Sequence, residues 1–268
     1  MVNEIAKAKL NLALHVRARR PDGYHELETL FAFIEHGDLV QVEPAKADSF
    51  TLTGPFAAVL DGEGDNLVTR AARAFRDEFG HGAHAITLDK HLPVASGIGG
   101  GSADAAATLR ALAKLHDEAL NGVRMLMVAD GLGSDVPACL FSRSAIGRGR
   151  GEKLRPVPGL PGTPVLLVNP GVAVSTAEVF GRWDGVDRGP LPADPRQGRN
   201  DLEPPARAIA PVIDEVLALL ATQPGAGLTR MSGSGATCFA LFDDDARRDA
   251  AAEVLAEQGW WVLPSQLT

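Results

Sequence analysis

The sequence predicts an α+β protein of two domains, and three observations carry that expectation. Strand-like and helix-like stretches mix along the chain without a regular βαβα beat, which disfavours a doubly wound parallel sheet. The 268 residues suit two compact domains at roughly 100–200 residues each. Proline and glycine concentrate in PVPGLPGTP, so a boundary is expected within 155–164, giving domains at 1–157 and 158–268.

The elements follow in order. Residues 6–16, AKAKLNLALHV, alternate: Ala6, Ala8, Leu10, Leu12 and Leu14 share one face, Lys7, Lys9, Asn11 and His15 the other. This is the pattern of a half-buried strand with a polar face. Pro21-Asp22-Gly23 signals a turn. Strands are expected at 30–35, 39–43, 50–53 and 85–90, and a helix over 66–79 through Leu67, Ala71, Ala74, Phe75 and Phe79. Gly97, Gly99, Gly100 and Gly101 then lead to Ser102, a good N-cap, and to a helix with Asp104 in its first turn and Ala105, Leu109, Leu112 and His116 on one stripe. Short helices are expected over 122–131 and from Ser134 or Asp135, with Pro137 in the first turn. Beyond the boundary come a strand (165–169), a helix (175–182), a loop (185–198), a helix (205–220), a hairpin (228–231 and 237–242), a helix (245–258) and a strand (260–263).

Composition removes several function classes. Hydrophobic residues make up 45% and charged residues 22%, an ordinary globular balance with ample core. The formal net charge of −8 argues against a nucleic-acid or anionic-membrane partner, since both need a basic face. A small anionic substrate remains open, because it needs only a few local cations and backbone N–H groups. Cys139 and Cys238 lie in apolar runs without a CxxC pattern, so buried, inert thiols are expected. Glu4, Lys7 and Lys9 stand where a signal peptide would be apolar. No run approaches the roughly 18 apolar residues of a membrane span; 209–221 is broken by Asp214 and Glu215. A cytoplasmic protein is expected.

The glycine-rich loop is the strongest chemical signal. A phosphate needs several N–H donors at once, and a helix N-terminus supplies unpaired donors with a positive dipole end. There is no GK[ST], and Ser102 stands where a dinucleotide fingerprint wants Gly or Ala. The bland alternative is a flexible connector. Other residues carry two readings each. Lys9 and Asn11 are a solvated strand face or a functional pair. Asp135 is a helix cap or a catalyst. Tyr24, the only tyrosine, closes a turn or stacks on a ligand beside His25. Residues 231–237 are a plain hairpin turn or part of a site. His81, His84 and His116 have no partner at metal spacing and read as ordinary.

Taken together, these segments resemble the GHMP kinase superfamily of small-molecule kinases. PVASGIGGGSA over 93–103 is similar to that family's ATP-binding PxxxGLGGGSS loop. AKLNLALHV (8–16), RPDGYHELET (20–29), DNLVTRAA (65–72), GSDVP (133–137), NPG from Asn169 and SGSGAT (232–237) resemble, in order and spacing, one branch of it. That branch acts on a cytidine diphosphate ester of methylerythritol. Two departures stand out. The loop reads GGGSADAA where GGGSSNAA is commoner, so Ala103 offers no second hydroxyl and Ser102 is the candidate for metal or phosphate contact. GSDVP replaces the commoner GADVP.

The resemblance implies an N-terminal domain of the ribosomal-protein-S5-domain-2-like type, a ferredoxin-like C-terminal domain, and an active site in the cleft between them. It implies an ATP-dependent kinase, using Mg2+, that phosphorylates the 2-hydroxyl of the cytidyl substrate in non-mevalonate isoprenoid precursor synthesis. Lys9 and Asp135 fall on the catalytic pair: Asp135 as general base, Lys9 favouring its ionised form and charge on the attacking oxygen. Asn11, Tyr24, His25 and Phe180 fall on cytidine-binding positions, with the base between Tyr24 and Phe180 and its polar edge read by His25. Pro93, Val94, Ala95, Ser96, Gly97, Ile98, Gly99, Gly100, Gly101, Ser102 and Ala103 fall on the ATP loop, and Asn66, Leu67 and Lys90 near the adenine. No carboxylate is a firm metal ligand. The competing readings are a homoserine or mevalonate kinase, which has no use for a base-stacking Tyr24 and Phe180, and a non-catalytic nucleotide-binding protein, which would be free to lose Lys9 or Asp135. A monomer or weak homodimer is expected.

Overall fold

The computed structural model describes residues 1–60 and 65–268. The described residues form ten strands and eight helices, the expected α+β mixture. The chain opens with two long paired strands, β1 (Val2–Arg19) and β2 (His25–Pro44). It divides into two compact units, and both strands contribute to each.

The first unit comprises Met1–Ala8, His36–Val94 and Gly99–Ser142. Here β4 (His84–Asp89) pairs antiparallel with β2 and parallel with β3 (Ser49–Thr53). Gly37 lies where β2 meets β1: a Cβ there would fall 2.1 Å from the Ala6 carbonyl oxygen, so no larger residue fits. The helices are α1 (Leu67–Phe79), α2 (Gly100–His116), α3 (Val123–Leu132) and α4 (Val136–Phe141). α2 packs on α1 and α4 and is buried on all sides from Ala103 to Ala113, not along one stripe. Six alanines in that stretch keep its surface small enough for neighbours to close around it. Its buried Arg110 is matched: Nε donates to Glu4 at 2.8 Å, and the remaining nitrogens to the carbonyls of Ile5 and Cys139.

The second unit comprises Lys9–Glu35, Ala95–Ile98 and Arg143–Thr268. The first half of β2 pairs antiparallel with β5 (Ala145–Gly149), and β5 with β6 (Lys153–Pro156). A second, fully antiparallel sheet has the order β10 (Trp261–Gln266), β7 (Pro164–Asn169), β9 (Cys238–Phe242), β8 (Ala226–Met231). With α5 (Thr176–Gly181), α6 (Glu203–Ile209) and α7 (Val212–Ala221) before β8, and α8 (Asp245–Ala256) before β10, this is the βαββαβ order of a ferredoxin-like fold. Its core joins Leu166, Val168, Ile213, Val216, Leu220, Ala240 and Leu255.

Several elements differ from expectation. β2 is one continuous strand, not two. The helix expected over 205–220 breaks at Ala210 and Pro211, because Pro211 has no N–H to continue the ladder. β5 and β6 form a hairpin that the sequence reading missed. α2 starts at Gly100, capped by Gly99 in a left-handed conformation (φ 66°, ψ 23°), and not at Ser102. Both cysteines are buried and neither is in a disulfide. Among the described residues no helix is long and apolar enough to cross a membrane.

Candidate functional site

In the first unit the site is built on the start of α2. Ala103 N–H donates to the Gly99 carbonyl at 2.8 Å. The amides of Gly100, Gly101 and Ser102 precede that bond and have no intrahelical acceptor. They point from the positive end of the helix, where an anion is favoured. Gly101 is exposed and Ser102 half-buried. Leu67 and Lys90 border this turn: a Cβ on Gly101 would lie 3.3 Å from Leu67 Cδ1, and one on Gly100 3.2 Å from Lys90 Nζ. Asn66 caps α1, its side-chain oxygen accepting from the amides of Val68 and Thr69 at 2.9 and 3.1 Å. Pro93 is buried and Val94 half-buried just ahead of the loop.

Lys90 is buried under the turn. Its ammonium donates to Asp38 Oδ2 at 2.5 Å and to Asp104 Oδ2 at 2.7 Å. Asp38 also accepts from the amides of His91 and Leu92. Neither aspartate was singled out as a site residue. The signal available was Asp104 itself, a carboxylate in the GGGSADAA turn where the related pattern has an amide. Asp135 sits half-buried at the N-cap position of α4, but its side chain makes no capping hydrogen bond. The cap reading therefore does not account for it.

In the second unit Lys9 is 3% exposed and Asn11 likewise, so the polar face of β1 is not a solvated face. Lys9 Nζ donates to Asn11 Oδ1 at 2.7 Å and lies 5.5 Å from the Phe31 ring centre. Asn11 Nδ2 donates to Thr29 Oγ1 at 2.7 Å, which fixes the amide's orientation. The Lys9 amide donates to the Ile98 carbonyl at 2.9 Å. Ser232 Oγ receives the Asn11 amide and donates to the Gly97 carbonyl. Residues 232–237 are thus more than a hairpin turn: the Thr237 amide also donates to the Ser96 carbonyl. Gly97 (φ 78°) is required here, since a Cβ would lie 2.5 Å from the Ser232 carbonyl oxygen. Ala95 takes a positive φ of 52° ahead of it. Ser232 and Thr29 were not anticipated.

His25 packs 4.8 Å from Phe180 and edge-on to Trp183 at 5.7 Å between ring centres. Its Nε2 is buried with no hydrogen-bond partner. Burial, with the Arg19 charge adding, holds the imidazole below the usual histidine pKa, so it is neutral at pH 7. Tyr24 is 52% exposed and stands in no ring pair with Phe180; its face meets the Arg150 guanidinium at 5.1 Å. Trp183 and Arg150 were not anticipated either. The histidines read as ordinary turn out to cluster, with His84 Nε2 2.7 Å from His116 Nε2 and His81 stacked on His116. Among the described residues no group of three or more His, Cys, Asp or Glu could hold a metal ion.

Comparison with known proteins places this arrangement. Residues 66–143 match the GHMP kinases N terminal domain and 192–259 the GHMP kinases C terminal domain. A 4-diphosphocytidyl-2-C-methyl-D-erythritol kinase of Rhizorhabdus wittichii is 57% identical, over 98% of this chain and 94% of that protein. One from Novosphingobium aromaticivorans is 51% identical, over 99% and 93%. The crystal structure of a 4-(cytidine 5'-diphospho)-2C-methyl-D-erythritol kinase superposes with a TM-score of 0.84 at 36% identity, covering 99% of this chain and 98% of that one. A homoserine kinase from Cytophaga hutchinsonii, at 18% identity and a TM-score of 0.71 over 98% and 94%, shares the fold alone.

Proposed function

The chain belongs to the GHMP kinases, among the 4-diphosphocytidyl-2-C-methyl-D-erythritol kinases, and on that premise we propose that it transfers the γ-phosphoryl group of ATP to the 2-hydroxyl of that cytidyl substrate. The observation that carries the kinase reading is the glycine turn at Gly99–Gly101, which leaves three amides open at the positive end of a buried helix. We propose the domain division at 157/158 with it; the two family matches, over 66–143 and 192–259, leave that position between them.

Residues 93–103 cradle the phosphates, with Asn66 and Leu67 toward the adenine. Asp135 accepts the proton of the tertiary hydroxyl as general base, and Lys9, held by Asn11, stabilises charge on the attacking oxygen. The cytosine is read by the neutral, unpartnered Nε2 of His25, backed by Phe180, with Tyr24 as an exposed face for stacking. The donor set fits magnesium carried on ATP rather than held in a protein cage: among the described residues no group of three or more His, Cys, Asp or Glu could hold a metal ion, and Mg2+ bound to substrate phosphates needs only one or two protein ligands. Ser102 Oγ is the ligand proposed; when bound, the ion neutralises the β- and γ-oxygens.

The cytidyl end supplies the test. Base–aromatic stacking is worth about 1–3 kcal/mol per base. Tyr24→Ala should therefore raise the KM of the cytidyl substrate by roughly 5- to 150-fold and weaken CDP inhibition in parallel, with the KM for ATP unchanged. A wild-type enzyme that ignores CDP and forms ADP equally well with homoserine or mevalonate would return the chain to the wider family.

A further inference from the structure

A fully buried lysine between two buried aspartates is an expensive arrangement, and here it lies directly beneath the turn that presents the helix amides. Lys90 is 2% exposed, Asp38 fully buried and Asp104 2% exposed. The three side chains come from different elements: Asp38 from β2, Lys90 from just after β4, and Asp104 from α2 itself. Asp38 is saturated, taking the ammonium and two backbone amides on its two oxygens. Asp104 takes Lys90 on Oδ2 and meets the Asp38 carboxyl at hydrogen-bonding range, while its Oδ1 is buried with no donor. Gly100 rests against the Lys90 ammonium, closely enough that a Cβ there would stand 3.2 Å from Nζ. Nothing in the proposed chemistry uses Asp38 or Asp104.

We propose that Asp38, Lys90 and Asp104 are positioning residues for the nucleotide: they pin the N-terminal end of α2 to the end of β4 and fix both the direction of its open amides and the charge beneath them. This rests on the reading of residues 93–103 as the phosphate cradle. The buried Lys90 ammonium thereby acts through Gly100 and Asp104.

The charge beneath the turn depends on one proton. With Asp38 and Lys90 ionised and Asp104 neutral, the triad carries no net charge; with Asp104 ionised it carries one negative charge. Burial pushes the Asp104 carboxyl up to about 8, against the pull of Lys90 and with the Asp38 charge adding. The hydrogen bond shared with the Asp38 carboxyl, which needs a proton on one of the two, works in the same direction. Lys90 and Asp38 are the charged groups facing Asp104. The buried residues of the helices packed on α2 are uncharged: Val68, Ala71 and Phe75 of α1, Met125 and Ala129 of α3, and Val136–Leu140 of α4. As pH rises through about 8, a negative charge therefore appears under the site meant for phosphates. A phosphate monoester has finished its own ionisation by then, since that step lies near pH 6.

The test is the KM for ATP, and for the cytidyl substrate as control, between pH 6.5 and 9.5. In the wild type the KM for ATP should rise about three- to tenfold across pH 8, the size of one charge at a helix terminus. Asp104→Asn keeps the shape and the acceptor for Lys90 but cannot ionise. It should match the wild type at pH 7 and show no alkaline rise. Asp104→Leu removes the acceptor and should raise the KM for ATP at every pH, leaving the cytidyl KM within about twofold. If that variant fails to fold, the Asn profile alone decides. Parallel profiles in wild type and Asp104→Asn would overturn the inference while leaving the kinase reading intact. A wild type that binds no ATP in calorimetry would overturn both.

Discussion

Lys9, Asn11 and Asp135 show how far a residue's neighbours along the chain can explain it. Alternation along β1 places Lys9 and Asn11 on one face, but it does not say that the face is buried. The groups that bury and bind them come from elsewhere: the Asn11 backbone amide donates to Ser232 Oγ across 221 residues of sequence. No local pattern carries that. Asp135 was ambiguous because aspartate is both a good cap and a good base. The missing capping bond resolves the structural half of that ambiguity. Asp135→Asn should consequently leave the melting temperature close to the wild type. It should lower kcat by about 10²- to 10⁴-fold, the usual worth of a positioned base. Steady-state kinetics with saturating ATP and cytidyl substrate check this, and near-normal turnover would remove Asp135 from the chemistry.

At the scale of elements, what was legible was what repeats locally. α1 and β4 follow their hydrophobic periods, β7 is a continuous apolar run, and the chain places all three close to where they are expected. The β5–β6 hairpin was missed because Gly147 and Gly149 dilute the strand pattern. Packing explains the first of these glycines: a Cβ at Gly147 would lie 2.6 Å from the Phe31 ring. The histidine cluster was missed for a related reason. His81 follows α1, His84 opens β4 and His116 closes α2, so only the assembled unit brings them together. Burial, then the neighbouring charges of His116 and His81, holds His84 below its usual 6.5. Burial and His81 do the same for His116. A histidine whose folded pKa is depressed binds fewer protons folded than unfolded. Its contribution is fully present above the unfolded value and is lost as pH falls from there toward the folded one. The melting temperature should thus decline as pH drops below about 6.5, by roughly 2–4 °C per kcal/mol lost. His116→Phe, which keeps the stack on Phe75 and His81, should flatten that decline in a calorimetric series from pH 7.5 to 5.5. An unchanged slope would show that the cluster does not set it.

For the whole molecule, an acidic chain that handles two anionic nucleotides must hold them by local means. Net charge of −8 offers no general attraction. The donors we propose are backbone amides at α2, the Lys9 ammonium and the neutral His25 imidazole, each fixed by hydrogen bonds or packing. Motif order along the sequence identified the family because those local devices are spread over nearly the whole chain. The interleaving of the two compact units was not legible, since β1 and β2 pass through both and no boundary in composition marks the crossing. The central claim is phosphoryl transfer to the tertiary hydroxyl of a cytidine diphosphate ester. Phosphorus NMR of a reaction with ATP and that ester tests it most directly. A new phosphomonoester resonance should grow one for one with ADP while the cytidyl diphosphate bridge persists. ADP accompanied only by inorganic phosphate, or release of cytidine monophosphate, would contradict it.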